Sequence, residues 1–259
     1  MNNYVTSMRA TDGSIVKLEC HDTLPSPQNL ARTYAKEGYP DRYVVFAEGR
    51  RKLDADGKFK DEIEKGVFLS CILRPSIFPS QAALISSLAA VAFANALEEH
   101  TTKHIGIGWV SNIFCDGKHI GGVTIEGKLD DFASYEYIIV NFSAPLSEKD
   151  FPPRINDLIK KVFESENSSV AVIIAKDILN KFFPLYTNIK NRSKFMDVYR
   201  KKFIMRGQKI KYIKDGKKEV CKVLGVDPDN CALKVEDSGK NVIHISTPTK
   251  VILPTKIKL

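Results

Sequence analysis

Apolar and polar residues alternate from Ser14 to Cys20, the period of a strand with one buried face. Leu24-Pro25-Ser26-Pro27 breaks that pattern as a turn. From Gln28 the period changes, with Leu30, Ala31, Tyr34 and Ala35 at helical spacing until Gly38 ends the helix. Tyr43 to Ala47 predicts a buried strand. Glu48 to Lys65 then carries many charges, Gly49 and Gly57, and no apolar period. It predicts a long mobile loop, and loops of that length inside a domain usually carry function. Val67 to Leu73 predicts another strand. Ser80 is expected to cap a helix over Gln81 to Glu99, with Leu84, Leu88, Val91, Ala92 and Ala96 as its apolar face.

Ile105 to Trp109, Ile113-Phe114, Gly122 to Glu126 and Tyr135 to Phe142 read as strands. Pro152-Pro153 breaks the chain. Helices are predicted at Ile155 to Glu164, Ser169 to Leu185 and Lys194 to Phe203. From Gly207 the texture changes to short strands, at Lys209 to Ile213, Glu219 to Leu224, Ala232 to Glu236 and Val242 to Ile245. The links between them hold Asp215-Gly216, Asp227-Pro228-Asp229-Asn230 and Ser238-Gly239. That spacing predicts a small all-β barrel of about fifty residues, with a boundary near Arg206 and domains over 1–206 and 207–259.

The chain has 259 residues, 43% of them hydrophobic, enough for one large domain and a small one. The longest apolar run, Ala82 to Ala96, is interrupted by Ser86, Ser87 and Asn95 and reads as a buried helix rather than a membrane span. The N-terminus is polar, without the apolar centre of an export signal. Cys20, Cys71, Cys115, Cys221 and Cys231 are scattered, with no Cys-x-x-Cys pair, so reduced thiols in a cytoplasm are expected. Net charge is +8 and unevenly spread. Between Lys190 and Lys222, thirteen Lys or Arg stand against Asp197, Asp215 and Glu219, a local excess of ten. Such a stretch is either a solvated face or a surface for an acidic partner. Without a recognition helix, zinc ligands or interleaved aromatics, nucleic acid is disfavoured.

Gly108-Trp109-Val110-Ser111-Asn112 runs into a tight turn at Asp116-Gly117, then Lys118-His119-Ile120-Gly121-Gly122-Val123. This strand–turn–strand resembles the central signature of biotin–protein ligases, commonly Lys-Trp-Pro-Asn-Asp, a hairpin, then Lys-x-x-Gly-Ile. Other segments follow in the same order. Ser26 to Glu48 resembles the family's opening helix and strand, and Gly49-Arg50-Arg51-Lys52 its Gly-Arg-rich loop. Val67 to Ser70 with Leu73-Arg74-Pro75 resembles the following strand and turn. Tyr199 to Lys202 and Arg206 to Ile210 resemble the linker into its small SH3-like domain. The resemblance implies an α+β fold, a mixed β-sheet with helices packed on it, plus a C-terminal SH3-like β-barrel. No DNA-binding domain precedes the match, so the expected layout is the non-repressor type.

The implied chemistry joins biotin and ATP into biotinyl-adenylate, then transfers biotin to a lysine of a biotin carboxyl carrier domain of a carboxylase. Mg²⁺ would shield pyrophosphate; no residue is assigned as its ligand. Arg50 and Arg51 would clamp phosphate, a task suited to the planar guanidinium fork. Gly49 belongs to the same loop, and Trp109 would flank adenine. Ser26, Gln28, Asn112, Gly121, Gly122 and Asn141 would line the biotin slot, and Lys118 or His119 would face the adenylate. A homodimer is compatible with the sequence, and no membrane is expected.

Departures from the pattern keep a second reading open. Gly108 replaces a lysine, Val110 the proline, and Ser111-Asn112 the Asn-Asp. His119 stands where the family has a lysine, and Pro27 interrupts Ser-Thr-Asn. Asp54, Asp56, Asp61, Glu62 and Glu64 follow the arginines. The alternatives are a catalytically impaired homologue that binds a biotin-like ligand or docks a carrier, and a lipoate or octanoate transferase, which shares the fold.

Overall fold

The computed structural model describes residues 3–54, 56–146, 170–214, 216–246, 248, 251–254 and 256–257. The chain begins with β1 (Tyr4–Arg9), β2 (Ile15–His21), α1 (Pro27–Lys36), β3 (Tyr43–Leu53) and β4 (Phe59–Leu73). It continues through α2 (Ala82–Glu99), β5 (Ile105–Gly108), β6 (Asn112–Cys115), β7 (Lys118–Leu129) and β8 (Tyr135–Pro145). After these come α3 (Val170–Thr187) and α4 (Ser193–Lys202). β9 (Lys209–Lys214), β10 (Lys217–Val226), β11 (Leu233–Glu236), β12 (Val242–Ile245) and β13 (Val251–Ile252) follow.

The first eight strands make one sheet in the order β1-β2-β3-β4-β8-β7-β6-β5. β2 and β3 lie parallel, joined by the crossover helix α1; the other neighbours are antiparallel. Strand parity decides what each face does. Val67, Leu69, Cys71 and Leu73 on β4 point into the main core, with Val44, Phe46, Val140 and Phe142. α2 and α3 cover that face. α2 has the length and hydropathy of a membrane span, yet most of it is buried in this core. Phe68, Ser70 and Ile72 point the other way, toward α1. Ala31 and Ala35 of α1 pack there on Tyr43, Val45, Ile72, Tyr137 and Ile139.

Most expected elements are present, with shifted ends. The main correction concerns 48–65, which is not a loop: β3 and β4 run on past the core as a long hairpin whose strands still pair at Leu53 and Phe59. Arg50 pairs across it with Glu64, and Lys52 bonds Glu62 at 2.9 Å. Charges alternating on a projecting hairpin leave no apolar period to detect. Ser80 falls inside a single 3₁₀ turn (Pro79–Gln81), and Gln81 holds the N-cap position of α2. β1 and β13 are strands that the sequence pattern did not single out. The helix expected at 155–164 lies outside the described residues. The C-terminal strands form the expected small β domain, one antiparallel sheet in the order β12-β11-β10-β9-β13. Its Ile210, Val223, Leu233 and Val235 join the same apolar core as the large sheet, and all five cysteines are buried.

Candidate active site

A cleft of about 1030 Å³ opens on the α1 side of the large sheet. Its floor comes from same-face positions of three neighbouring strands. Ser70 of β4 lies opposite Asn141 of β8, which lies opposite Thr124 of β7, and Ser143 opposes both Phe68 and Gly122. Three walls rise from this floor. The first is the start of α1, Pro25 to Asn29. The second is the projecting hairpin, with Arg50, Arg51, Lys52 and Glu64. The third is the β6–β7 hairpin, with Asn112, His119 and Ile120. The arginine segment and the tryptophan hairpin therefore do converge on one cleft, although the tryptophan itself does not reach it.

The floor is polar and tightly bonded. The Ser70 hydroxyl donates to Asn141 Oδ1 at 2.8 Å, while Asn141 Nδ2 reaches Thr124 only at 3.4–3.5 Å. Both Ser70 and Asn141 are buried. At the first wall, Ser26 caps α1, its Oγ accepting the Asn29 N–H at 3.2 Å. Pro27 is the first helical residue, where its missing N–H costs no hydrogen bond. Gln28 donates from Nε2 to Glu126 Oε2 at 3.0 Å.

At the second wall Arg50 is already engaged. Its Nε and Nη2 lie 2.9 and 2.8 Å from Glu64 Oε2, and its guanidinium sits 4.5 Å from the centre of the Phe68 ring. Arg51 is exposed on the same rim. At the third wall, Asn112 donates from Nδ2 to the Trp109 carbonyl at 2.9 Å, which turns its Oδ1 toward His119 Nε2 at 3.0 Å. An acceptor there requires the proton on Nε2. Burial lowers the His119 pKa below the ordinary histidine value, with the Gly121 backbone opposing in part, so the ring is neutral near pH 7.

Three expected site residues lie elsewhere. Trp109 is 2% exposed and its indole N–H donates to the Cys231 carbonyl at 2.8 Å, so it bridges the large sheet to the C-terminal sheet inside the core. Gly49 sits where the chain crosses over 22–24: its carbonyl accepts the Leu24 N–H at 3.0 Å, and a Cβ would stand 2.9 Å from Ile63. Lys118 is exposed at the start of β7, opposite Cys115, while its neighbour His119 reaches the cleft. Gly121 and Gly122 do line the cleft, but their own strands require glycine. A Cβ on Gly121 would collide with the Ser143 carbonyl oxygen, and one on Gly122 would stand 2.7 Å from that of Ser111. At Gly108, a Cβ would come 2.6 Å from the Phe114 ring, so packing leaves no room for the signature's lysine.

Ser70, Thr124 and Phe68 were missed as cleft residues. Their signal is shared parity with Asn141 and Gly122, readable only once strand pairing is known. Among the described residues, no three His, Cys, Asp or Glu side chains cluster to hold a metal. Among the described residues lining the cleft, Glu64 is the only carboxylate.

No protein-family model matches the chain. The bifunctional ligase/repressor BirA of Bacillus subtilis is 26% identical over 155 residues, 58% of this chain and 47% of BirA. BirA of Bacillus spizizenii is 23% identical over 154 residues. The solved biotin protein ligase of Aquifex aeolicus superposes with TM-score 0.65 at 16% identity, over 92% of this chain and 97% of that one. The chain has the fold of the biotin protein ligases. A biotin protein ligase-like protein from Silicibacter matches equally well, with TM-score 0.66, 16% identity and coverage of 92% and 97%. The Aquifex ligase bound to biotin and ATP matches with TM-score 0.61 at 15% identity, over 91% and 97%. These likenesses establish the ligase fold over nearly the whole chain, whereas the chain spans about half the length of the curated BirA relatives.

Proposed function

We propose that this protein is a biotin–protein ligase. In its first step a biotin carboxylate oxygen attacks the α-phosphorus of ATP, giving biotinyl-adenylate and releasing pyrophosphate. In the second, a lysine amine of a biotin carboxyl carrier domain attacks the acyl carbon, forming an amide and releasing AMP. The observation that carries the reading is the convergence of the α1 start, the arginine hairpin and the β6–β7 hairpin on one cleft. The Aquifex relative, of the same fold, is solved with biotin and ATP.

Roles follow from chemistry. Ser26, Gln28, Asn141 and the polar floor line a slot that suits a small head group with both donors and acceptors. Asn112 steadies His119 rather than offering its amide to ligand. Arg50 and Arg51, with Lys52 on the same rim, bring positive charge to the phosphates and to the charge that develops at the α-phosphorus. ATP carries Mg²⁺, but the described residues do not fit a protein-held ion: the one carboxylate among the described cleft residues, Glu64, is bonded to Arg50. A carboxylase carrier domain as acceptor, a cytoplasmic setting and a homodimer complete the reading.

The impaired-homologue reading is kept alive by two specific contacts, the neutral His119 where the family has a lysine and the Glu64 counter-ion on Arg50. One experiment separates the readings. Calorimetric titration with biotin, lipoate and octanoate, followed by pyrophosphate release on adding ATP, should show biotin preferred and release dependent on it. Heat without release selects the impaired homologue, preference for lipoate or octanoate selects the transferase, and neither heat nor release removes the ligase reading.

A further inference from the structure

Gln28 is held from behind. Its Nε2 donates to Glu126 Oε2 at 3.0 Å, and Glu126 lies on β7, outside the residues that line the cleft. Arg32, one turn further along α1, grips the same carboxylate with both arms: Nε to Oε1 at 2.9 Å and Nη2 to Oε2 at 2.7 Å. Arg32 Nη1 also donates to Asn29 Oδ1 at 2.8 Å. The network staples the start of α1 to the sheet. It also has a chemical consequence. An ionised carboxylate only accepts hydrogen bonds, so the Gln28 amide has one workable orientation: nitrogen toward Glu126, oxygen away from it. Among the described residues no protein donor occupies that oxygen.

We propose that Glu126, oriented by Arg32, is a positioning residue that fixes Gln28 Oε1 as a hydrogen-bond acceptor in the cleft, so that the site selects head groups presenting N–H donors, as a cyclic urea does. This deepens the biotin reading and rests on it. A ligand with the same carboxylate and chain but no N–H would leave the oxygen unpaired on binding. A site built to bond such a group discriminates strongly against the analogue that lacks it. Glu126→Gln breaks the polarity rule, because a neutral amide at 126 can donate as well as accept and lets the Gln28 amide turn over.

The test is a binding cycle in the full-length protein, with biotin as the probe. Glu126→Gln should weaken biotin about tenfold, and Gln28→Leu by at least as much. Combined, they should bind no more weakly than Gln28→Leu alone, because Glu126 acts only through Gln28. A loss from Glu126→Gln that persists in the Gln28→Leu background would mean a merely structural role and overturn the proposal. So would an unchanged biotin affinity in Glu126→Gln. A protein-only readout needs no ligand. In Glu126→Gln, the Gln28 side-chain NH₂ resonances in a ¹⁵N-correlated spectrum should move from their wild-type, carboxylate-bonded shifts toward those of a solvated amide; identical spectra would overturn the positioning role. Failure of the wild type to bind biotin would remove the biotin reading itself, and the urea selectivity with it, while leaving the amide orientation to the NMR result.

Discussion

The two faces of the large sheet are written by alternate residues of the same strands, and they are built for different ends. On β4, Val67, Leu69 and Cys71 enter a sealed apolar core under α2 and α3, while Phe68 and Ser70 line the cleft under α1. On β8, Val140 and Phe142 are matched against Asn141 and Ser143 in the same way. A buried serine bonded to a buried asparagine is a poor way to build a core, since polar groups gain little from burial even when satisfied. Their presence on one face only sets that face apart as the side of the proposed site. Substitutions should accordingly cost folding on the core side and packing joints, and binding on the cleft side.

The sharpest break of that rule is Gly121, which touches the cleft but is fixed by packing. Gly121→Val should prevent stable folding, because the collision is with backbone that a strand cannot yield cheaply. The expected loss is more than about 4 kcal/mol, read as absence of a cooperative thermal transition. Next comes Trp109→Ala at the joint between the two sheets. It should lower stability by about 3–5 kcal/mol in urea unfolding, while biotin affinity in the surviving folded protein stays near wild type. A large affinity loss instead would return the indole to the ligand site.

Cleft-side changes should leave the unfolding midpoint nearly unmoved. His119→Lys replaces a neutral ring by a cation on the cleft wall and, on the proposed ligase reading, should raise adenylate formation about tenfold to a hundredfold, measured as pyrophosphate release. The pH dependence carries the same sign. Because burial holds the folded pKa of His119 below its unfolded value, the unfolded state takes up the proton first. Stability contributed by His119 is therefore present above the ordinary histidine value and lost as pH falls below it. Over that same fall, nucleotide binding should gain from the new charge in wild type but not in His119→Lys. The smallest effect is expected from Glu64→Gln, which frees Arg50. ATP affinity should rise about two- to fivefold, the range of a partly exposed ion pair. A fall would make Glu64 a ligand contact instead of a competitor.

The same comparison explains what could be read from the chain alone. The apolar face is legible because burial imposes a period, and β2, α1, α2 and the C-terminal strands follow from it. The projecting part of the β3–β4 hairpin has no buried face. Its cross-strand pairs, Arg50 with Glu64 and Lys52 with Glu62, looked like the mixed charges of a loop. Motif order located Ser26, Gln28, Arg50, Arg51, Asn112, His119, Gly121, Gly122 and Asn141 on the cleft. It misplaced Trp109 and Gly49, because a motif fixes sequence position but not the side of the strand. Between Lys118 and His119, the pairing across β6 and β7 decides which one reaches the cleft, and register is not visible in one sequence. Ser70, Thr124 and Glu126 stayed hidden for the same reason.

The most direct measurement is a crystal structure of the protein with a non-hydrolysable biotinyl-adenylate mimic. The head group should lie between Gln28 and the Ser70–Asn141 floor, with the phosphate-like group at the arginine hairpin and Arg50 turned from Glu64 toward it. Mimic bound away from this cleft, or a cleft left empty at saturating mimic, would contradict the account.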